Sequence, residues 1–220
     1  MILKCMTAEK HYDKKYFEWQ KNIGIFGAKA NKIKFEKLIS DNLKVLDFGC
    51  GGGYLLNEFK CEIEKHGVEI NEVARSQATK NGLKCYKSSK ELPSDYFDLI
   101  ISNNALEHCE NPFLELNELY RALKKSGKIC LVVPLDSLNY KYKQDDKDFH
   151  LYSWSPMNLG NILKANNFEV IASKPFIHKW FPFYNRAQKI IPWWLFHLLC
   201  FVYGRLDRKW FQTRAVAIKK

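Results

Sequence analysis

The stretch VLDFGCGGGYLL, Val45 to Leu56, constrains the fold of this chain more than any other. A short apolar run ends in an aspartate, and four of the eleven glycines follow within five residues. Such a run reads as a buried strand, and the glycines as the turn that leaves it. A strand that opens into a glycine turn needs partners on both sides, so the rest of the chain must supply more strands.

It does so at regular intervals. The spacing predicts a helix over 12–39, a strand over 44–48, a helix over 54–64, a strand over 66–70 and a helix over 71–82. Strands follow at 83–88 and 97–104, a helix at 112–127 and a strand at 128–134. After a polar loop at 136–149 come a helix from Ser155-Pro156, a strand over 168–173 and a last strand over 214–220. Pro112 suits a first helical position, and Gly127 reads as the stop of that helix. Strands alternating with helices imply an α/β fold with a mostly parallel sheet covered on both faces. The 220 residues suit one domain. Within it, 1–43 reads as an N-terminal helical cap, 44–173 as the core, 174–213 as an insertion and 214–220 as the last strand.

In such sheets ligands sit beyond the carboxyl ends of the strands, so the glycine turn is the place to look. A P-loop needs a lysine and a hydroxyl after the glycines, and here Tyr54, Leu55 and Leu56 follow. A dinucleotide fingerprint needs a third glycine where Tyr54 stands, which weakens that reading. A nucleoside carrying an amino acid fits the remaining facts. Gly49 and Gly51 let the main chain approach a ligand, and Asp47 offers an anion to a cationic group. Glu69, 22 residues after Asp47, can accept hydrogen bonds from both ribose hydroxyls.

VLDFGCGGG, then GVEIN, then FDLIISNNALEHCENP, together resemble the class I S-adenosylmethionine-dependent methyltransferases over about Lys44 to Val133. The resemblance implies a Rossmann-like three-layer sandwich, with seven strands and an antiparallel last strand. It implies S-adenosylmethionine as cofactor and S-adenosylhomocysteine as product. Asp47, Gly49, Cys50 and Gly51 match the loop beside the methionine part, Glu69 the ribose acid and Ile70 the neighbour of adenine. Ser88 or Ser89 falls where the family commonly has an aspartate facing adenine. Asn103 and Asn104 follow strand four, near the methionine end. Tyr16 and Trp19, with Tyr12, are expected in a helical lid over the cofactor.

An oxygen acceptor needs a base, and histidine suits that task at neutral pH. His108 follows strand four and His150 follows strand five, so both are candidates. No sequence pattern reads as a catalytic metal site. Asp145, Asp146 and Asp148 sit among lysines and read as a solvated charge run.

The net charge of +11 is concentrated at one end. From Lys174 onward there are ten lysines and arginines against one acid, with four of the six tryptophans. Such a segment suits a sugar, an anionic lipid-linked or phosphorylated acceptor, an anionic membrane surface or nucleic acid, and equally a packed cover with a solvated rim. The small size and basic aromatic insertion resemble methyltransferases of bacterial surface-glycan synthesis. The expected reaction is O-methylation of a small-molecule, sugar or lipid-linked glycan acceptor. An RNA or protein methyltransferase and a non-catalytic cofactor-binding module are the alternatives. Nucleic acid is disfavoured, because strand four runs into NNAL rather than an N-P-P-Y motif. Seven cysteines without C-x-x-C spacing suit free thiols in a reducing compartment. With no long apolar N-terminal run, the expectation is a cytoplasmic enzyme, with peripheral contact at the inner membrane face through 174–213.

Overall fold

The computed structural model describes residues 24–220 except 138, 139, 145, 147 and 208. Tyr12, Tyr16, Trp19 and Asp145 therefore lie outside the described residues. The described chain begins in a helical segment, 24–31, which continues into short 3-10 turns at Lys32–Lys34 and Glu36–Leu38.

Seven strands form one sheet in the order β3-β2-β1-β4-β5-β7-β6. These are β1 Lys44–Phe48, β2 Glu64–Val68, β3 Lys84–Tyr86, β4 Phe97–Asn103, β5 Leu123–Asp136, β6 Phe168–Phe176 and β7 Trp210–Lys219. Strands β1 to β5 pair in parallel, and β7 runs antiparallel between β5 and β6. The chain leaves β1 toward β2 and β3, then returns to place β4 on the other side. That reversal opens a crevice above the carboxyl ends of β1 and β4, where the glycine turn sits.

Alternation of side chains along the strands fills both faces. Leu46, Ile100, Leu131 and Val133 point to one core with Leu116 and Leu119 of helix α2 (Pro112–Ala122) and Leu159 and Leu163 of helix α3 (Pro156–Ala165). Val45, Leu99, Ile101, Cys130 and Val132 point to the other, with Ala78 of helix α1 (Glu72–Lys80) and with Ala28 and Phe35 of the leading segment. The helices start at side-chain caps: Asn71 accepts from the amide of Ala74, Asn111 from Leu114 and Ser155 from Asn158.

Several predicted boundaries are corrected. The helix expected over 54–64 is one 3-10 turn, Leu56–Glu58. The amide of Asn42 donates to the carbonyl of Glu62 and the amide of Glu62 to Asp41, which draws the chain into extended form before a second turn can close. Strand β2 ends at Val68, so Glu69 and Ile70 are the first residues beyond it. The helix expected to stop at Gly127 stops at Ala122, where Leu123 turns extended, and Gly127 lies inside β5. Strand β7 starts at Trp210 rather than at 214, because it pairs along the full outer half of β5, up to Asp136 opposite Trp210.

The segment between β6 and β7 folds as a short helix α4 (Tyr184–Ala187) and a longer helix α5 (Trp193–Leu206). Phe196 and Cys200 of α5 pack with Phe26 and Ala30 of the leading helix, joined by Trp180, Tyr184 and Trp193. The two segments outside the alternating core thus roof the carboxyl end of the sheet together. No helix among the described residues is long and apolar enough to cross a membrane.

Candidate active site

A cleft of about 880 Å³ lies above the switch point. Its floor is the turn after β1. Gly51 adopts φ +53°, and a Cβ built there would meet nothing within 4 Å, so it would project into the open cleft. Gly49 is a glycine for another reason: its Cβ would stand 2.3 Å from that of Ala105, in the turn after β4. One glycine clears the ligand space and the other lets two turns touch. Cys50 is buried between them, and its thiol is pushed up by its hydrogen bond to Cys85 and by burial.

Two carboxylates face this floor. Glu69 Oε2 accepts from the Gly51 amide at 2.9 Å, and Oε1 accepts from the Asn71 amide at 2.8 Å. Each oxygen keeps a second lone pair, enough for two vicinal hydroxyls. Burial raises the Glu69 carboxyl, while the amides of Asn71 and Gly51 pull it back down. Asp47, 3% exposed and one residue before the end of β1, is pushed up to about 7 by burial, then by the Glu69 charge and by Cys85. A buried carboxyl held up by a like charge gains from an incoming ammonium group. The amino acid end and ribose of S-adenosylmethionine carry an ammonium and vicinal hydroxyls, which are chemically complementary to these two carboxylates, so the residues present fit that cofactor.

The other sequence candidates gather around the same cleft. Ile70, Ser88, Ser89, Asn103, Asn104 and His108 all line it. Ser89 is buried and donates to Glu115 Oε2 at 2.6 Å, which brings a carboxylate of α2 to the place expected for an aspartate. Glu115 was not singled out by the sequence, where it reads as an ordinary helix-surface acid. Asn103 Oδ1 accepts from Lys34 Nζ at 2.8 Å. Asn104 takes a left-handed φ of +56° and accepts from Gln212 at 2.9 Å. Such a conformation in a non-glycine residue is held by its surroundings, here including the Asn104 amide bonded to Val132.

A second cavity of about 420 Å³ adjoins the cleft, and Asn31, Asn104 and Trp180 line both. It contains His150 and Lys34, with walls from Phe176, Trp210 and Phe211. His150 and His108 come together with ring centroids 5.0 Å apart. Close to both is Glu107, fully buried, whose carboxylate oxygens find no hydrogen-bond partner. Burial pushes Glu107 up to about 8, against the pull of its own backbone amide and of Lys34. Lys34 is itself pushed down to about 7 by burial, against Glu107 and Cys130. Neither Lys34 nor Glu107 is legible from the sequence, because each gains its meaning only when helix, β4 and β5 meet. Nor is Trp180, whose place at both cavities depends on the insertion folding back over the sheet.

Comparison with known proteins agrees with this geometry. A family model described as a methyltransferase domain matches residues 19–173. A ubiquinone biosynthesis O-methyltransferase of Pelagibacter ubique is 39% identical over 114 residues, covering 45% of this chain and 47% of the relative. A phosphoethanolamine N-methyltransferase of Plasmodium falciparum is 26% identical over 69% of this chain and 63% of its own length. The chain thus spans less than two thirds of either relative. Among solved structures, an S-adenosylmethionine-dependent methyltransferase of Thermotoga maritima superposes with a TM-score of 0.70 at 18% identity, covering 97% of this chain and all of that one. That likeness speaks for the shared fold, and the family match covers most of the chain. The chain belongs to the methyltransferase domain family, within the class I enzymes that depend on S-adenosylmethionine.

Proposed function

We propose that the protein methylates a hydroxyl of an acceptor seated in the second cavity, on a sugar or lipid-linked glycan. The observation that carries this reading is the junction of the two cavities. The cofactor cleft and the aromatic-walled second cavity share Asn104 and Trp180, and His108 on the cleft side stands with its ring centroid 5.0 Å from that of His150 on the other. When bound, S-adenosylmethionine would supply an electrophilic methyl group on a sulfonium, and this chain's residues would align the acceptor oxygen with it. Positioning is most of what the chain must add. Asp47 and Glu69 hold the amino acid and ribose ends. Trp180 and the aromatic walls exclude water and stack on an acceptor ring. His108 and His150 stand where the hydroxyl proton must leave.

The outer face of α5 supports a lipid-borne acceptor. Trp194, Leu198, Val202 and Leu206 recur at helical spacing and are exposed, opposite the buried Phe196, Cys200 and Gly204. Arg205 on the same helix is exposed beside Leu206, and Arg186 and Lys189, just before the helix in the chain, are exposed too. Apolar side chains with cations nearby suit an anionic membrane surface.

Calorimetry with S-adenosylmethionine, followed by a screen with methyl-labelled cofactor, tests the proposal. Label should appear in lipid-linked glycans or nucleotide sugars as an ether. Label in RNA or on a protein amine instead would overturn it, and so would the absence of cofactor binding.

A further inference from the structure

Glu107, His108 and His150 form a group of donors that the cofactor does not use. Their ligand atoms all lie within 4.8 Å of one another. His108 Nε2 is 3.9 Å from Glu107 Oε1. The carboxyl is fully buried and both of its oxygens lack a hydrogen-bond partner, a cost that the nearby charge of Lys34 offsets only in part and that a bound cation would relieve. The two loops that carry the donors are fastened to each other. The Leu151 amide donates to the Glu107 carbonyl at 2.9 Å, and the Tyr152 hydroxyl to the Glu110 carbonyl at 3.1 Å. Phe149, beside His150, is held at φ +49°. These restraints fix the imidazole of His150 next to that of His108.

We infer that Glu107, His108 and His150 bind one divalent transition-metal ion at the junction of the cofactor cleft and the acceptor cavity. Two imidazoles and a carboxylate are borderline ligands that suit zinc, manganese, iron or cobalt better than magnesium or calcium. A tetrahedral ion with bonds of about 2.1 Å spaces its ligands roughly 3.4 Å apart. The donors reach that spacing by closing through about an ångström of side-chain rotation, as judged from the 4.8 Å limit on their separation. Three protein ligands leave a position open, as in catalytic sites. Asp148, which lines the acceptor cavity and acts on Glu107 as a like charge, adds to the negative field, while Lys34 opposes it.

The inference deepens the acceptor reading proposed above. With the ion in place the histidines are ligands, not bases. An acceptor hydroxyl at the open position would be acidified by the ion, its proton passing to solvent. The oxygen would then take the methyl carbon as the carbon–sulfur electron pair returns to sulfur.

Metal binding is measured apart from methyl transfer, so the two readings fail separately. Titration of the chelator-stripped full chain with Mn²⁺, followed by the electron paramagnetic resonance of the free ion, should show one site per chain of micromolar affinity. Co²⁺ should give visible bands of nitrogen and oxygen ligation without thiolate charge transfer, which separates this site from the free cysteines. Glu107→Gln and His150→Ala should each weaken Mn²⁺ binding by about a hundredfold while circular dichroism stays native. Absence of stoichiometric Mn²⁺ and Co²⁺ binding, or unchanged affinity in a folded variant, would overturn the inference.

Discussion

The Gly51 amide donates to Glu69 Oε2 at 2.9 Å, so the glycine turn and the end of β2 are joined at the cofactor cleft. The acid that would hold ribose also holds the turn that lies beneath it. Replacing Glu69 with Gln keeps the size but puts a donor where one of two backbone amides must be accepted. S-adenosylmethionine should bind at least tenfold more weakly, with a stability loss of about 1–2 kcal/mol for the amide left unpaired. Calorimetry and denaturant melts check both; unaltered affinity would remove Glu69 from the ribose site.

Gly49 and Gly51 should respond in opposite ways. Gly51→Val adds a branched side chain into open cleft at a left-handed φ of +53°, and should abolish cofactor binding. Gly49→Ala places a Cβ 2.3 Å from that of Ala105 and should cost about 1–3 kcal/mol in folding by overpacking. Thermal melts with and without S-adenosylmethionine separate the two. A destabilised Gly51→Val that still binds at full strength would mean the cofactor runs elsewhere.

Asp47 sets a pH dependence. Its folded carboxyl is raised to about 7, so the buried charge costs stability as pH climbs from the ordinary carboxylate range to about 7, and the loss is complete above that. A ligand ammonium relieves that penalty because it favours the ionised form. Cofactor affinity should therefore rise about tenfold from pH 6 to pH 8, as the ionised fraction rises by that factor around a value near 7. Calorimetry in buffers of different ionisation heat should detect proton release on binding near pH 6. Asp47→Asn should flatten the profile; affinity falling with pH would contradict the assignment.

The stripe on α5 predicts salt-sensitive flotation with anionic liposomes. Leu198→Glu with Val202→Glu should abolish flotation and leave the melting temperature within a few degrees, because both side chains face outward. Flotation that survives the double variant would assign the membrane contact to another surface.

How much of this was readable in advance follows the range of the interactions. The β1 turn and its Asp47, Gly51 and Glu69 were legible because the fold brings local motifs to one sheet end in a fixed order. The antiparallel last strand came with the family pattern, though its length depends on pairing with β5. The helix expected after Gly53 failed because Asn42 and Glu62, twenty residues apart, pair across the loop. Both histidine candidates were visible as residues, but their adjacency was not. It depends on the Leu151 amide reaching Glu107, more than forty positions away. Lys34 and Glu107 were not singled out by the sequence, and only the packed structure shows them buried.

The indole of Trp180 belongs to two rooms at once, since it forms part of the wall of both cavities and packs edge-on against Phe26 at 4.8 Å. A displacement of that ring changes the wall of both cavities at once. A substitution at Trp180 is therefore expected to alter donor and acceptor affinity together, since one side chain shapes both spaces.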